Sequence, residues 1–548
     1  QKSQNYQNPL LGYFKAPAPK VLADKSLGLI RELDSSGQAA LFIPFLLGGY
    51  GHPSYTGIDP ELDIAVFGFQ TKTLDDTGFL ILIKAERDAQ LIEQLLGESA
   101  ALVREWGPWL AITNQESVFD LVVSKEELQK IATTQSNYDF ELTLLPQAVG
   151  DSREDLMADL LASPELQENQ MARIWAEAAG NTFFDEIESA QNLILGANLS
   201  EETIGWGMDL TAKRGSPLGS LISAGSPGRV EGGKFLAADQ SVTYVMDYPV
   251  GAIRKYLEHL MENLKAQLPE NDPTTLQLIS LHEEVDQFLE DWSGLGGGGY
   301  SLEGGKIQSQ QILLGEFESD PVEAYFQDTR KVLVPLLQKA QENEEAEELK
   351  TDFSFTPNAG EISGVSYHWI HQSFEMPESP SKEESSNPLP EDLVDQDIYF
   401  AVVEDHFIQV STLEALETLI LNVQKGGAGD DSISTRFSER KNIWFQGHLD
   451  LINYYLETME SIPGGIRNPL VDTEELAQAL DALKGRDLEP VSMTLSNEGS
   501  RVSARMELPV STLKAAVEAF QNFEPERGAE EMAPPSDSTP DDQPTDVP

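Results

Sequence analysis

The sequence predicts an α+β protein of two similar halves, each a mostly antiparallel or mixed sheet with helices packed on one face, plus a disordered acidic C-terminal tail. Three observations predict this class. A strand, a turn and a capped helix recur along the chain, several strands alternate apolar with polar residues, and hydrophobic residues make up 40% of the 548 positions. That apolar content is sufficient for a packed core, so the chain as a whole is not expected to be disordered.

The recurring unit is marked by helix caps. Ser216 before Pro217 is typical, because the serine side chain accepts from a free helix amide and proline is tolerated in the first helical turn. Thr113 with Glu116 has the spacing of a capping box. The order of these units in the first part of the chain matches their order in the second, which predicts an internal duplication. Alternating strands and helices also occur in chains without duplication, and that alternative stays open.

Domain boundaries follow from changes in composition. We predict a polar leader over residues 1–24, a first half over 25–228 and a second half over 229–523. A polar insertion at 375–396 and the tail at 524–548 are rich in acids and prolines, so neither buries enough apolar surface to offset the entropy of ordering.

Individual segments of the halves have their own patterns. Pro164–Leu195 is predicted to be one long helix, and Ile204–Leu210 a strand of alternating character. The clearest local pattern is a hairpin in which two alternating runs, 491–496 and 502–508, flank a turn at Asn497–Gly499. Such alternation is typical of antiparallel pairs with one buried and one wet face.

The net charge bounds the classes of partner. Ninety-two acidic residues against 37 basic ones give a formal net charge of −55. Nucleic acid and anionic lipid both require basic patches, so no nucleic-acid partner is expected. Solubility in salty surroundings explains the acidity, and cation binding is the alternative.

Residue usage also bounds the compartment. There is no cysteine, which excludes disulfides and thiolate metal sites. The longest apolar stretch, Ala39–Leu47, is shorter than the ~20 residues that cross a bilayer, so no membrane insertion is expected. The sequence begins at Gln1, which we interpret as the product of signal-peptide removal. A periplasmic or extracellular location is predicted.

Four segments carry a resemblance to known proteins. They are Gly57–Pro60 before the strand Ile64–Phe69, Trp106–Ile112, Gly205–Leu210 followed by Ser216-Pro217-Leu218, and Met506–Phe523. In this arrangement the chain resembles the large uncharacterised exported proteins of planctomycete- and verrucomicrobia-type bacteria. The resemblance implies an exported location, and it implies no particular activity.

One segment suggests a metal ion. Gly426–Ser434 fits one nonapeptide of the calcium-binding β-roll repeat, with Gly427, Gly429, Asp430 and Asp431 as candidate calcium ligands. A β-roll requires several stacked copies, and this chain has one. The alternative is a helix C-terminus with Gly426 in the left-handed position.

Other motifs give no assignment. Gly294, Gly296 and Gly299 match the spacing of a dinucleotide loop but lack the preceding strand and following helix, so we interpret the run as a flexible linker. Ser511 with Lys514 matches S-x-x-K without its partner motifs and is interpreted as a helix cap. No catalytic or cofactor-binding residue is therefore assigned.

The function expected from these patterns is a binding or scaffold role, without catalysis, in an exported envelope or extracellular protein. Its partner is expected to be an envelope protein or a polysaccharide. The alternative is an exported hydrolase that acts on polysaccharide through a glycosidase-like pair of carboxylates. If the duplication is real, a ligand is expected between the halves, near Gly225–Lys234 and Gly294–Gly299.

Overall fold

A computed structural model describes most of the two predicted halves. The described residues are 10–33, 63–70, 77–84, 102–113, 115–146, 153–163, 170–237, 240–303, 306–319, 350–375, 395–429, 432–461 and 488–522, with short pieces at 166, 322–323, 483 and 486. The predicted tail at 524–548, the interior of the insertion at 375–396 and the apolar stretch Ala39–Leu47 lie outside them.

The described strands are β1 (Leu10–Ala16), β2 (Ile64–Gln70), β3 (Thr77–Lys84), β4 (Leu102–Trp106), β5 (Trp109–Thr113), β6 (Phe140–Leu144), β7 (Ala190–Leu199), β8 (Thr203–Ala212), β9 (Val242–Asp247), β10 (Trp292–Glu303), β11 (Lys306–Gly315), β12 (Lys350–Ile362), β13 (Val365–Glu375), β14 (Asp395–Val403), β15 (His406–Val410), β16 (Ile443–Leu449), β17 (Val491–Glu498) and β18 (Arg501–Pro509).

The described α-helices are α1 (Pro19–Leu33), α2 (Glu116–Leu121), α3 (Lys125–Thr133), α4 (Arg153–Leu161), α5 (Gln170–Ser189), α6 (Pro217–Ile222), α7 (Val250–Lys265), α8 (Pro273–Asp291), α9 (Leu413–Lys425), α10 (Leu451–Ser461) and α11 (Val510–Asn522). Glu231–Phe235 and Ile433–Arg436 are 3₁₀ turns. No helix in this part of the chain combines the length and apolar character needed to span a bilayer.

All 18 strands of the described residues belong to one sheet, and every pairing between them is antiparallel. Their order across the sheet is β4-β5-β3-β2-β1-β6-β7-β8-β18-β17-β16-β9-β10-β11-β15-β14-β13-β12. The predicted α+β class and the antiparallel pairing are thus confirmed. The hairpin predicted at 491–508 is β17–β18.

The two predicted halves share one sheet because β8 pairs with β18. The pairing extends over nine residue pairs, from Thr203–Pro509 to Thr211–Arg501. It places the last strand of the first half directly beside the last strand of the second, in the middle of the sheet.

One face of the sheet carries a hydrophobic core in each half. In the first half, Phe67, Leu80 and Leu82 pack with Val118 of α2 and Leu128 of α3. The second half has a corresponding core in which α9 covers β11, β14 and β15. Its members include Ile312, Ala401, Ile408, Leu416 and Ile420.

The opposite face of the second half is also covered. Met246, Leu313, Phe400 and Phe407 alternate along their strands with residues of the first face, and they pack near Phe288 of α8. Helices therefore cover both faces here, which differs from the expected single helical face. The reason is that the chain between β9 and β10 forms the two helices α7 and α8, which pack on the second face of the sheet.

The predicted polar leader over residues 1–24 was wrong, because Leu10–Ala16 is β1 and pairs with β2 and β6 inside the sheet. The predicted capping box of Thr113 with Glu116 was also wrong, since Gln115 is the N-cap of α2 and its N–H donates to Thr113 Oγ1 at 3.2 Å.

Two predictions of secondary structure were wrong as well. The long helix predicted over Pro164–Leu195 ends at Ser189, and Ala190–Leu199 is β7. Since β6 and β8 supply backbone partners on both sides, tertiary pairing overrides the helical pattern there.

The glycine run Gly294–Gly299 is also a strand segment, inside β10, and not a flexible linker. Its glycines let the 3₁₀ turn Glu231–Phe235 lie directly against the strand, since a Cβ on Gly232 would overlap the backbone of Gly296. Glycine within a strand often marks such a close approach of another backbone segment.

Candidate functional site

A cavity of about 410 Å³, here called the junction pocket, lies where the segment that connects the two halves meets α7 and α8. It is lined by Ala224–Pro227, Arg229, Asp247–Ala252, Arg254, Leu289–Glu290 and Trp292–Ser293. The connecting segment, the end of β9 and the start of β10 thus form its walls.

A fixed ion pair forms one side of the junction pocket. Asp247, the last residue of β9, is buried and accepts hydrogen bonds from the backbone N–H of Arg229 at 2.9 Å and from its Nε at 3.3 Å. Arg229 Nη2 donates to the second carboxylate oxygen at 3.2 Å. Hydrogen bonding to Asp247 raises the pKa of Arg229. This fork geometry fixes the guanidinium while leaving part of it exposed to the pocket.

A second ion-paired group joins the two helices at the pocket. Arg254 of α7 donates through Nε and Nη2 to the two carboxylate oxygens of Asp286 of α8, at 2.8 and 2.9 Å. Nη2 also donates to Glu290 at 3.3 Å. Hydrogen bonding to Arg254 holds the pKa of Asp286 below its ordinary value. Asp286 and Glu290 are therefore both paired with the guanidinium of Arg254.

Aromatic side chains supply the apolar surface. Tyr248 and Trp292 meet edge to face, with ring centroids 6.0 Å apart. Trp292 Nε1 donates to the carbonyl of Leu295 at 2.7 Å, which fixes the indole orientation. Burial raises the pKa of Tyr248. Both rings are half-buried, so part of each remains available to a ligand.

The connecting segment is held rigidly at the pocket. Ser226 Oγ accepts from the N–H of Gly228 at 2.9 Å, and the carbonyl of Ser226 accepts from the N–H of Asn442 at 2.8 Å. Gly228 has φ +69°, and a Cβ there would overlap the carbonyl oxygen of Arg440. Glycine is thus required by both the backbone angle and the space.

The sequence pointed to part of this region. Gly225 and Arg229 lie within the predicted stretch Gly225–Lys234, and the pocket ends at Ser293, beside Gly294. The first half, however, contributes only its last lining residues, Ala224–Pro227, so most of the wall belongs to the second half. Asp247 and Arg254 carried no recognisable motif, because only the fold brings them to one cavity.

The calcium candidates are only partly described. Gly426 ends α9 with φ +84°, and its N–H and that of Gly427 donate back to Val423 and Asn422. Gly426 and Gly427 thus form the helix C-terminus that was the alternative to a calcium site. Gly429 also has a positive φ, whereas Asp430 and Asp431 lie outside the described residues. Among the residues that are described, no group of three histidine or acidic side chains could hold a metal ion.

Two polar residues outside the junction pocket have defined contacts. His368 is buried in β13 and stacks on Phe400, with ring centroids 4.9 Å apart. Ser511, the second residue of α11, donates its hydroxyl to Glu489 at 2.7 Å. The predicted cap role of Ser511 was therefore wrong, since Ser511 lies inside the helix and its hydroxyl is engaged with Glu489.

A second cavity, of about 450 Å³, lies in the first half. Its walls are mostly apolar, with Tyr13, Phe69 and Leu128 among them, and Glu127 lies at its edge. It contains no convergent set of polar groups comparable to that of the junction pocket.

Comparison with known proteins gives no further assignment. No protein-family model matches this sequence, and no curated protein or solved structure shows a significant match.

Proposed function

We propose that this chain is an exported, non-catalytic protein of the cell envelope or extracellular space that binds an uncharged, hydroxyl-rich ligand, such as a short segment of polysaccharide, in the junction pocket. The observation that carries the proposal is that both arginines of the pocket are paired with carboxylates. Arg229 is paired with Asp247, and Arg254 is paired with Asp286 and Glu290.

This pairing favours binding over catalysis. A general acid of a hydrolase must be protonated near its working pH, which requires a raised pKa. Asp247 is instead engaged by the guanidinium of Arg229, whose donors occupy both of its carboxylate oxygens. The pocket thus offers fixed donors and acceptors in a rigid arrangement, and rigid polar groups orient a ligand at low entropic cost.

The balance of charge indicates the ligand class. The charged residues of the lining, Arg229, Asp247, Arg254 and Glu290, sum to zero formal charge. A ligand with a large net charge gains little there, whereas hydroxyl groups can both donate and accept. The exposed parts of Tyr248 and Trp292 give flat apolar surface, onto which the C–H face of a sugar ring can pack.

The strand orders of the two halves support an internal duplication. From its outer part to the middle of the sheet, the first half runs β4-β5-β3-β2-β1-β6-β7-β8. The second half runs β14-β15-β11-β10-β9-β16-β17-β18, which is the same order by chain position, with the hairpin β12–β13 added outside β14. A duplicated sheet of this length suits a scaffold that presents a binding site.

The compartment is part of the proposal. The acidic, cysteine-free composition and the resemblance to exported bacterial proteins both support export. Fractionation of cells that express the natural gene, followed by detection of the protein with an antibody, tests it. Recovery in the cytoplasm alone would contradict the proposed location.

A polysaccharide hydrolase is the second candidate, and one observation favours it. Two carboxylates, Asp247 and Glu290, and two aromatic rings line the same cavity. Such a combination occurs in glycosidases, where paired carboxylates act as acid and as base or nucleophile. The arginine partner of each carboxylate is the reason that we rank this candidate second.

Isothermal titration calorimetry of the full chain with tetrasaccharides of glucose and of N-acetylglucosamine tests the proposal. We expect one of them to bind, and we expect Glu290→Gln and Trp292→Phe to weaken binding at least tenfold. Trp206→Phe is the matched control, because Trp206 is an exposed tryptophan outside the pocket, and it should bind as the wild type does.

Product analysis separates the two candidates. Prolonged incubation should leave the bound tetrasaccharide intact. Release of shorter sugars by the wild type, abolished in Asp247→Asn or Glu290→Gln, would replace the binding role by the hydrolase. Absence of binding to both sugars would show that the proposed ligand class is wrong.

A further inference from the structure

The second cavity, here called the first-half cavity, has a volume of about 450 Å³ and lies between the helices α2 and α3 and the strands of the first half. Its lining residues are Leu10, Tyr13, Phe69, Leu121–Ser124, Glu127, Leu128, Ile131, Leu145 and Gln191. Protein interiors contain few voids larger than a water molecule, whereas ligand pockets measure about 300–1,000 Å³. The first-half cavity therefore has the size of a ligand site and exceeds an ordinary packing defect.

Apolar side chains form most of the wall of the first-half cavity. Phe69 and Leu128 belong to the buried core of the first half. Tyr13 and Ile131 pack against that core and remain partly accessible. The ring of Tyr13 lies beside that of Phe67, with centroids 6.1 Å apart. The cavity thus borders directly on the hydrophobic core and shares its side chains.

The polar side chains of the lining do not provide a place for a charged group. Ser124 Oγ accepts from the N–H of Glu127 at 3.1 Å and lies 3.4 Å from a carboxylate oxygen of Glu126, so its hydroxyl is used at the start of α3. Gln191 and Glu127 are exposed. Among the lining residues that the structure describes, Glu127 is the only charged one. An anionic ligand would lose its hydration here without gaining a cation, so an uncharged ligand fits better.

The corner between α2 and α3 has a defined geometry. α2 ends at Leu121, and the backbone is extended at Val122 and Ser124, with ψ of 104° and 117°. The Ser124 cap fixes the residue at which α3 begins. Val123, between these two positions, lines the cavity and is 85% exposed, which places it at the mouth. A pocket whose walls are fixed before binding reduces the entropic cost of association.

The second half is filled at the corresponding place. In the strand orders of the two halves, β9 and β10 correspond to β1 and β2. The 3₁₀ turns Glu231–Phe235 and Ile433–Arg436 lie against the strands there, beside α9. Phe235, Leu236 and Ile433 fill the core at that point, each at most 4% exposed. The described residues of the first half include no such turn, and the first-half cavity lies in its place.

We propose that the first-half cavity binds an uncharged apolar molecule about as large as three benzene rings. An apolar cavity of ~150 Å³ holds one benzene, and the first-half cavity is about three times as large. The driving force is the removal of apolar ligand surface from water, which needs no directional polar contact. This site is separate from the junction pocket, so it does not depend on the proposed binding of polysaccharide.

The test titrates the full chain with N-phenylnaphthylamine, an uncharged three-ring dye whose fluorescence rises in apolar surroundings. We expect saturable binding. Ile131→Phe places a larger side chain in the cavity and should raise the dissociation constant at least tenfold, with an unchanged circular dichroism spectrum. Leu276→Phe is the matched control, because Leu276 is 54% exposed on α8, outside the cavity, and its variant should bind the dye as the wild type does.

Leu145→Phe fills the cavity from the strand side, and it keeps the test valid if Ile131→Phe does not fold. The N–H of Leu145 donates to the carbonyl of Leu11 at 2.9 Å, a backbone contact that the exchange of side chain leaves in place. The dye should also raise the melting temperature of the wild type more than that of either filled variant. Absence of saturable binding overturns the proposal, as does binding that is unchanged in both filled variants. A signal lost in Trp292→Phe and kept in the filled variants would place the dye in the junction pocket and overturn it too.

Competition against the bound dye tests the charge class of the ligand. Decanol should displace the dye, and decanoate should require at least a tenfold higher concentration, because its carboxylate meets Glu127 without a cation. Glu127→Gln should reduce this preference. Displacement by decanoate as readily as by decanol, or by decylammonium more readily than by decanol, would show that the uncharged class is wrong.

Discussion

Arg501 of β18 donates from Nη2 to Oδ2 of Asp209 of β8 at 2.7 Å, across a sequence separation of 292 residues. Arg505 lies 2.8 Å from Oδ1 of the same carboxylate, and Ser503 Oγ donates to it at 2.6 Å. Tyr138 adds a fourth hydrogen bond at 3.1 Å, with its ring lying over Gly196 and Gly207. Asp209 is fully buried, so this network holds the strand pair that joins the two halves.

Replacement of this carboxylate should be costly. Asp209→Asn leaves the two guanidinium groups of Arg501 and Arg505 without their counter-charge, and breaking such a buried pair costs about 2–4 kcal/mol of unfolding free energy. Urea unfolding followed by circular dichroism measures it. Asp185→Asn is the control, since its exposed pair with Arg153 should cost less than about 1 kcal/mol. Equal losses in the two variants would contradict a special role for Asp209.

The same group should contribute to acid stability. Burial favours the neutral form of Asp209, but hydrogen bonds from Ser503 and Arg505 and the charges of Arg505 and Arg501 outweigh it, so its pKa lies below the ordinary 3.8. The unfolded chain thus binds this proton first as the pH falls, and stability is lost below about pH 4. The difference in unfolding free energy between wild type and Asp209→Asn should therefore shrink from about pH 5 to about pH 3. A constant difference would show that Asp209 does not titrate differently on folding.

His368 should make the protein less stable in mild acid. Burial lowers its pKa below the ordinary 6.5, although the charge of Glu323 opposes the shift. The unfolded state therefore takes up a proton more readily, and stability falls as the pH drops below about 6.5. We expect the melting temperature of His368→Gln to depend less on pH between about 7.5 and 5.5 than that of the wild type.

His371→Gln provides the comparison for that measurement. His371 is half-buried in the same strand, where it contacts Asp397 at 3.0 Å. It lacks the complete burial of His368, so its variant is the matched histidine-to-glutamine exchange outside the buried cluster. The prediction fails if the two variants respond to pH in the same way.

Gly228 should be needed for the geometry of the junction pocket. Gly228→Ala places a methyl group against Arg440 and strains a backbone with φ +69°, so we expect a loss of more than about 2 kcal/mol. Gly215→Ala has a similar φ of +86° and open space around it, and it should cost only about 1 kcal/mol. Thermal unfolding of both variants measures the difference. Similar losses would mean that the contact with Arg440 is not tight.

The segment after α9 should behave as a helix end. Gly426→Ala should cost about 1 kcal/mol because the left-handed position disfavours a side chain. We expect calcium to leave the melting temperature of the wild type and of Asp431→Asn unchanged. A calcium-dependent rise in the wild type that is absent from Asp431→Asn would instead favour the calcium interpretation of Gly427, Gly429, Asp430 and Asp431.

The candidate site was only partly predictable. The stretch from Gly225 was identified because glycine and proline cluster where the halves join, and Gly225 and Arg229 do line the cavity. The partner of Arg229 could not be found in the same way, because nothing near Asp247 distinguishes it from the other 91 acidic residues. Only the return of β9 beside the connecting segment brings the two together.

The sequence alone determined the features that depend on neighbouring residues. The cap at Ser216, the left-handed end at Gly426 and the β17–β18 hairpin are all short-range, and their side-chain patterns predicted them. The antiparallel α+β class followed from the same alternation.

The tertiary structure decided what depends on distant partners. Ala190–Leu199 and Gly294–Gly299 are strands because neighbouring strands satisfy their backbone groups, although their local patterns indicated a helix and a linker. It also decided which side of the central sheet is buried. Along β8 apolar residues alternate regularly with other residues, and this pattern does not tell which side of the strand is buried. The hydrogen bonds and ion pairs from Tyr138, Arg501 and Arg505 place Asp209 on the buried side and leave Met208 exposed. Such choices depend on contacts hundreds of residues apart, which no local periodicity encodes.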